Sequence, residues 1–153
     1  MSLEDLEKRI QILEDIEAIK RLKSRYSQVV DKFRPGGVEE LVTEDVIFDF
    51  GPLGEIKGRK AIADFFQKYP EIRPFSIHYF SQPEITVDGD VAYGRWYMWC
   101  PCTSGEGDAL WSSGYQDDKY ERVKGKWLIA GVKLTSCFRT TFEEGWHKKK
   151  SID

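Results

Sequence analysis

Apolar residues recur at intervals of three and four from Leu3 to Phe33, with charged positions between them. The series is Leu3, Leu6, Ile10, Leu13, Ile16, Ile19, Leu22, Tyr26, Val29 and Phe33, a period that predicts one long helix over 3–33. Ser2 with Asp5 three residues on supplies an N-cap signal, and Arg34-Pro35-Gly36-Gly37 breaks the helix. Its first turns, 3–13, are expected to protrude and pack on a neighbouring subunit. A short helical turn follows at Val38–Val42, then a strand at Val46–Phe50, a turn at Gly51–Gly54 and a brief extended piece at Glu55–Lys57. Gly58 introduces an amphipathic helix, 59–69, with Ile62, Phe65, Phe66 and Tyr69 on one side, ended by Pro70 and Pro74.

From residue 75 the period changes to two. Strands are predicted at Phe75–Val87 (interrupted at Pro83), Val91–Cys100, Ala109–Val123 and Trp127–Arg139, with hairpin turns at Asp88-Gly89-Asp90 and Lys124-Gly125-Lys126. Helices first and a meander of long strands afterwards predict an α+β fold. A strongly bent mixed or antiparallel sheet wrapped on the long helix makes a cone-shaped barrel with an apolar cavity, a common small-molecule site. Residues 1–140 are expected to form this single domain and 141–153 a polar tail.

Composition narrows the choice of chemistry. In 153 residues the net charge is −3 and the pI about 5.5, which gives no electrostatic footprint for nucleic acid. No apolar run of membrane-spanning length occurs, and the charged start of the chain is unlike a signal peptide. Three Cys without a signal suggest reduced thiols in the cytoplasm. Cys100-Pro101-Cys102 has a single intervening residue and no second ligand pair, so no metal site is expected.

There are two His, and His147 lies in the charged C-terminal segment. His78, in Ser76-Ile77-His78-Tyr79-Phe80, sits among β-formers in a chain with five Trp, seven Tyr and nine Phe. Its imidazole can exchange a proton near neutral pH. Two readings stand side by side: a base in an apolar pocket, or a half-buried strand residue. Trp96, Met98 and Cys100 share one face of the second long strand, and Trp111 and Tyr115 one face of the third. With Phe48 they are the expected lining for a flat, apolar ligand. The opposite face of the second strand (Tyr93, Arg95, Tyr97, Trp99) is aromatic too, which suggests a subunit contact.

Four stretches carry a family resemblance: Asp15-Ile-Glu-Ala-Ile-Lys-Arg-Leu-Lys-Ser-Arg-Tyr26 with Asp31 beyond it, Ser76–Tyr79, Pro83–Tyr97 and Tyr115–Trp127. Together they resemble the SnoaL-like branch of the nuclear transport factor 2-like superfamily, in particular bile acid 7α-dehydratase, lindane dehydrochlorinase and scytalone dehydratase. The resemblance implies a His on the sheet that takes a proton from carbon and a helix-end Asp that orients it. Those roles fall on His78 and Asp31, and that of a Tyr donor to a substrate oxygen falls on Tyr26. It also implies a trimer and a cofactor-free lyase acting on a cyclic, largely apolar small molecule. Helical spacing alone puts Asp31 about 140° from Tyr26, off the apolar stripe. In addition, Met98-Trp99-Cys100-Pro101 stands where the bile acid dehydratase pattern has an acid. Isomerase-like proton transfer and a non-catalytic binding or assembly module are the alternatives, and an Asp31–His78 contact is what separates them.

Overall fold

The sheet has seven strands in a computed structural model that describes residues 1–34 and 36–149. They are β1 (Val42–Asp49), β2 (Glu55–Lys57), β3 (Phe75–Ser76), β4 (Tyr79–Asp88), β5 (Val91–Thr103), β6 (Ala109–Val123) and β7 (Lys126–Thr141). The order is β2-β1-β7-β6-β5-β3, with β4 also on β5. β1 runs parallel to β7 and every other pairing is antiparallel, so the sheet is mixed. Strongly curled, it holds the long helix α1 (Leu3–Val30) in its hollow, with α2 (Arg59–Ile72) packed on β1. This is the α+β cone expected from the patterning.

The two-residue turn Lys124-Gly125 closes the β6–β7 hairpin with both residues at positive φ, 49° and 79°, the conformation that matches strand twist. Residues directly opposite in a sheet share a face, so the β5–β6 register sorts the side chains. Trp96 faces Gln116, Met98 faces Gly114 and Cys100 faces Ser112 on the inner side; Tyr97 faces Tyr115 and Pro101 faces Trp111 on the outer side. The expectation that Trp111 and Tyr115 line the pocket with Trp96 is therefore corrected. A turn joining Thr103 to Ala109 pairs odd positions with odd, and Trp111 stacks on Trp99 outside the cone, centroids 5.1 Å apart.

Several boundaries also move. The Ser2–Asp5 capping box forms, with Asp5 N–H to Ser2 Oγ 3.1 Å and Ser2 N–H to Asp5 Oδ2 2.9 Å. The helix ends at Val30, ahead of the Pro-Gly break, because Lys32 turns left-handed (φ 62°) and Phe33 and Arg34 N–H close onto the Gln28 carbonyl. α2 runs through Pro70 to Ile72, since a proline in the last turn removes a single bond. β7 continues to Thr141 and a turn of helix, α3 (Gly145–Lys148), sets Trp146 5.4 Å from Phe138, so the segment after 140 is more than a polar tail; 150–153 lie outside the described residues.

The buried stripe of α1 is Asp15, Ile19, Lys23, Tyr26, Val29 and Val30, two of its members charged. Asp15 accepts from Arg122 at 2.7 and 2.9 Å and from the Trp127 indole at 3.0 Å. That clamp fixes α1 against β6 and β7, sixteen positions before Asp31. No helix among the described residues is long and apolar enough to cross a membrane.

Candidate active site

Asp31 is the C-cap of α1. Its side chain is 3 % exposed and turned into the cone. Both carboxylate oxygens are engaged by the segment joining β3 to β4: Oδ1 accepts from Ser76 Oγ at 2.9 Å and lies 2.6 Å from His78 Nδ1, and Oδ2 accepts the His78 backbone N–H at 2.7 Å. The expected single strand over 75–87 breaks here, at Ile77–His78, because the carboxylate replaces a ladder acceptor. At Pro83 there is only a bulge in pairing, with Gln82 at φ 50°.

A carboxylate offers acceptors alone, so the neutral imidazole carries its proton on Nδ1 and keeps its lone pair on Nε2. The ring, its side chain 12 % exposed, stacks on Phe80 with a 6.0 Å centroid distance. It borders a cavity of about 200 Å³ shared with Lys23, Ser27, Tyr79, Phe80 and Trp96. A larger concavity, about 600 Å³, lies elsewhere, around Tyr93 and the Arg95–Asp117 ion pair, with no His in its lining. Chemistry points to the smaller one.

Around the dyad the wall is aromatic. Tyr26 packs 6.1 Å from each of Phe48, Phe66 and Phe80. Burial, reinforced by Asp118, Tyr69 and Asp31, pushes its phenol well above 10, so it remains a proton donor. Phe48 is fully buried between Tyr26, Phe50 and Phe66 and belongs to the core. Trp96, Met98 and Cys100 are all on the inner face and nearly fully buried.

A charged group unforeseen in the sequence lies under this wall. Lys23, 1 % exposed, donates to Gln116 Oε1 and Asp118 Oδ2, each at 2.6 Å, and stands 4.0 Å over the Phe80 ring. Tyr120 donates to the same Asp118 oxygen at 2.7 Å and receives the Trp96 indole N–H at 3.0 Å. Desolvation pulls the Lys23 ammonium down while Asp118 opposes that. The signal available was Lys23 four residues after Ile19 and three before Tyr26, on the helix stripe itself.

On the same inner face Cys100, Ser112 and Arg139 form a row across β5, β6 and β7. Cys102 lies in the next row beside Ser76. Its neighbour Cys100 pulls the Cys102 thiol down against its burial, helped by Arg73, Arg139 and His78; the Cys100 thiol is pushed up in turn. Among the described residues no cluster of three metal-ligating side chains occurs.

A family profile for the SnoaL-like domain matches residues 11–133, with the Asp31–His78 pair inside the match. The chain belongs to the SnoaL-like family. This SnoaL-like domain is 27 % identical over 133 residues to an uncharacterized protein of Mycobacterium tuberculosis, covering 79 % of this chain and 84 % of that one. Its fold is similar to that of a hexachlorocyclohexane dehydrochlorinase, LinA type 2, with a TM-score of 0.79, 21 % identity and coverage of 85 % and 90 %. It is similar also to a candidate scytalone dehydratase of Novosphingobium aromaticivorans, with a TM-score of 0.77, 22 % identity and coverage of 85 % and 89 %.

Proposed function

We propose that this SnoaL-like domain is a cofactor-independent lyase that removes a proton and a leaving group from a cyclic, largely apolar small molecule. The observation that carries the reading is the 2.6 Å contact between Asp31 and His78 Nδ1 at the edge of a cavity whose wall combines Phe80, Tyr79 and Trp96 with Lys20, Lys23, Ser24 and Ser27. His78 Nε2 takes a proton from the carbon next to an activating group. The electron pair left behind forms the new double bond as the leaving group departs from the neighbouring carbon. Asp31 holds the ring in the reactive tautomer and stabilises the imidazolium that forms. Tyr26, whose phenol burial holds well above its ordinary pKa, hydrogen-bonds the oxygen on which charge develops. Dehydratase-type elimination is the first reading, in keeping with the dehydrochlorinase and dehydratase names among the structural neighbours.

The inner positions of β5 beside the site are Met98, Cys100 and Cys102, with no acid to protonate a departing hydroxyl. That observation favours halide loss, or isomerisation in which the imidazolium returns its proton to another carbon. Both begin with the same proton abstraction, and the test is built on it. Cyclic ketones with β-hydroxy or β-halo substituents are incubated with the protein in D2O and followed by proton NMR. Enzyme-dependent loss of the α-proton signal is expected, lowered roughly 10²–10⁴-fold in His78→Gln and strongly reduced in Asp31→Asn and Tyr26→Phe. Exchange that persists unchanged in His78→Gln would falsify the catalytic role of His78, and no exchange with any protein would leave a ligand-binding module.

A further inference from the structure

The first turns of α1, residues 3–14, are exposed throughout, ahead of Asp15, the first buried position of the helix. Leu3, Leu6, Ile10 and Leu13 lie in this stretch at spacings of three, four and three, the a and d positions of two heptads. All four are exposed. One heptad further on, the same positions hold Glu17, Lys20, Ser24 and Ser27, all polar. The row is therefore apolar only where the helix stands ahead of the core. At 100° per residue it points about 170° away from the buried stripe that contains Ile19 and Tyr26. The chain's own sheet is on the wrong side to cover it. A solvated chain end has no need of an apolar row and is usually loosely ordered. This one is closed by the Ser2–Asp5 capping box and continues a helix of 28 residues, so it stays helical without a separate nucleation step.

The charges beside the row select what can cover it. Glu7 and Glu14 flank it at the e positions and Arg9 at a g position. When two such helices lie parallel and in register, a g residue meets the e residue of the next heptad on its neighbour. That sets Arg9 against Glu14. In an antiparallel pair e meets e and g meets g, so that like charges face each other. Neither Arg9 nor Glu14 forms an ion pair among the described residues; the Arg9 guanidinium meets the Met1 thioether at 3.1 Å. On the far side of the same turns Glu4 and Lys8 are already paired within the helix at 2.8 Å.

We infer that residues 3–14 form a parallel, in-register seam with the same residues of another copy of this chain. Leu3, Leu6, Ile10 and Leu13 close the seam, and Arg9 against the partner's Glu14 sets its direction. It is distinct from the outer face of the sheet and does not depend on the lyase reading.

Disulfide cross-linking tests it. Leu6→Cys and Leu13→Cys are made one at a time in Cys137→Ser protein, because Cys137 is exposed whereas Cys100 and Cys102 are buried. Each is oxidised with glutathione disulfide at micromolar protein concentration and followed on non-reducing gels. Lys8→Cys, on the far side of the helix, is the control, and circular dichroism checks that every variant folds. Leu6→Cys and Leu13→Cys are each expected to cross-link to themselves at least about tenfold faster than Lys8→Cys. Adding Arg9→Glu or Glu14→Arg to Leu6→Cys should slow the cross-link several-fold, and adding both should restore it, since the pair is then reversed and intact. Rates no faster than the Lys8→Cys control overturn the seam, and the row is then free or covered by a different partner. A mixture of Leu6→Cys with Ile10→Cys that cross-links faster than either alone overturns the parallel direction, because an antiparallel pair puts Leu6 opposite Ile10. A double charge reversal as slow as the single ones overturns the Arg9–Glu14 pairing.

Discussion

The Lys23–Asp118 pair is the most exacting single contact in the cone. Both side chains are essentially fully buried, and Asp118 Oδ1 has no hydrogen-bond partner. Burying two charges is repaid only while each holds the other. Two of the Lys23 protons are directed at Gln116 and Asp118, and the ammonium faces the Phe80 ring, so its role is to hold the wall that His78 stacks on. Asp118→Asn removes the anion and keeps the shape. It should cost roughly 3–5 kcal/mol in urea unfolding at neutral pH, whereas Lys23→Met with Asp118→Leu should lie close to the wild type. Desolvation lowers the Lys23 pKa and Asp118 opposes the shift, so the variant lowers it further. Between that lowered value and 10.5 the unfolded chain binds the proton that the folded chain lacks, so stability rises with pH. The deficit of Asp118→Asn should therefore shrink as pH approaches 10. A deficit that is constant or grows with pH would mean the Lys23 charge is not what the variant strands.

At the scale of elements, α1 positions the site because it is fastened near its middle. Asp15 is 4 % exposed and collects the Arg122 guanidinium and the Trp127 indole. Burial works against its charge, yet those donors together hold its carboxyl below the ordinary 3.8. A lowered carboxyl stabilises the fold above the unfolded value and loses that contribution as pH falls through the folded one. Asp15→Asn should cost about 1–3 kcal/mol at pH 7, measured by urea unfolding, and progressively less as pH falls below 3.8, so the two curves converge on acidification. Parallel curves would sink this account. The same helix shows what patterning could reveal. Its length, its cap and the strand order after residue 75 follow from local periodicity and turn residues, which act over a few positions. Asp15 and Lys23 escaped because a periodicity search counts apolar residues, while their partners Arg122 and Asp118 are about a hundred positions away. Asp31 was legible through family resemblance alone. It lies beyond the last helical residue, where 100° per residue no longer describes its direction. Trp111 and Tyr115 were misassigned because alternation gives two faces and only the inter-strand register says which is inner.

Seen as a whole, the molecule leaves much apolar surface open. Tyr93, Tyr97, Phe142 and Trp146 are 57, 54, 60 and 51 % exposed on or beside the outer face of the β5–β7 meander, and Leu3, Ile10 and Leu13 are 74, 54 and 62 % exposed along the first turns of α1. Trp99, Trp111, Phe138 and Trp146 form a continuous aromatic sheet-face, with neighbouring centroids 5.1–6.1 Å apart. Scattered exposed apolar residues are ordinary, whereas a contiguous aromatic strand face is a candidate interface. If that face is an interface, the trimer that the resemblance implies would cover it with further copies of the chain. Light scattering coupled to gel filtration should give three times 17.8 kDa. Tyr97→Asp, a charge at the centre of the outer face, should shift the protein towards smaller species. The Asp31–His78 segment lies on the inner side, so the variant should keep its circular dichroism and the nitrogen-15 signature of an Nδ1–H imidazole. A monodisperse 17.8 kDa species at micromolar concentration would remove the trimer and leave the outer aromatics without an account. A trimer undisturbed by Tyr97→Asp would instead move the interface to the exposed start of α1, where Leu13→Asp becomes the decisive variant.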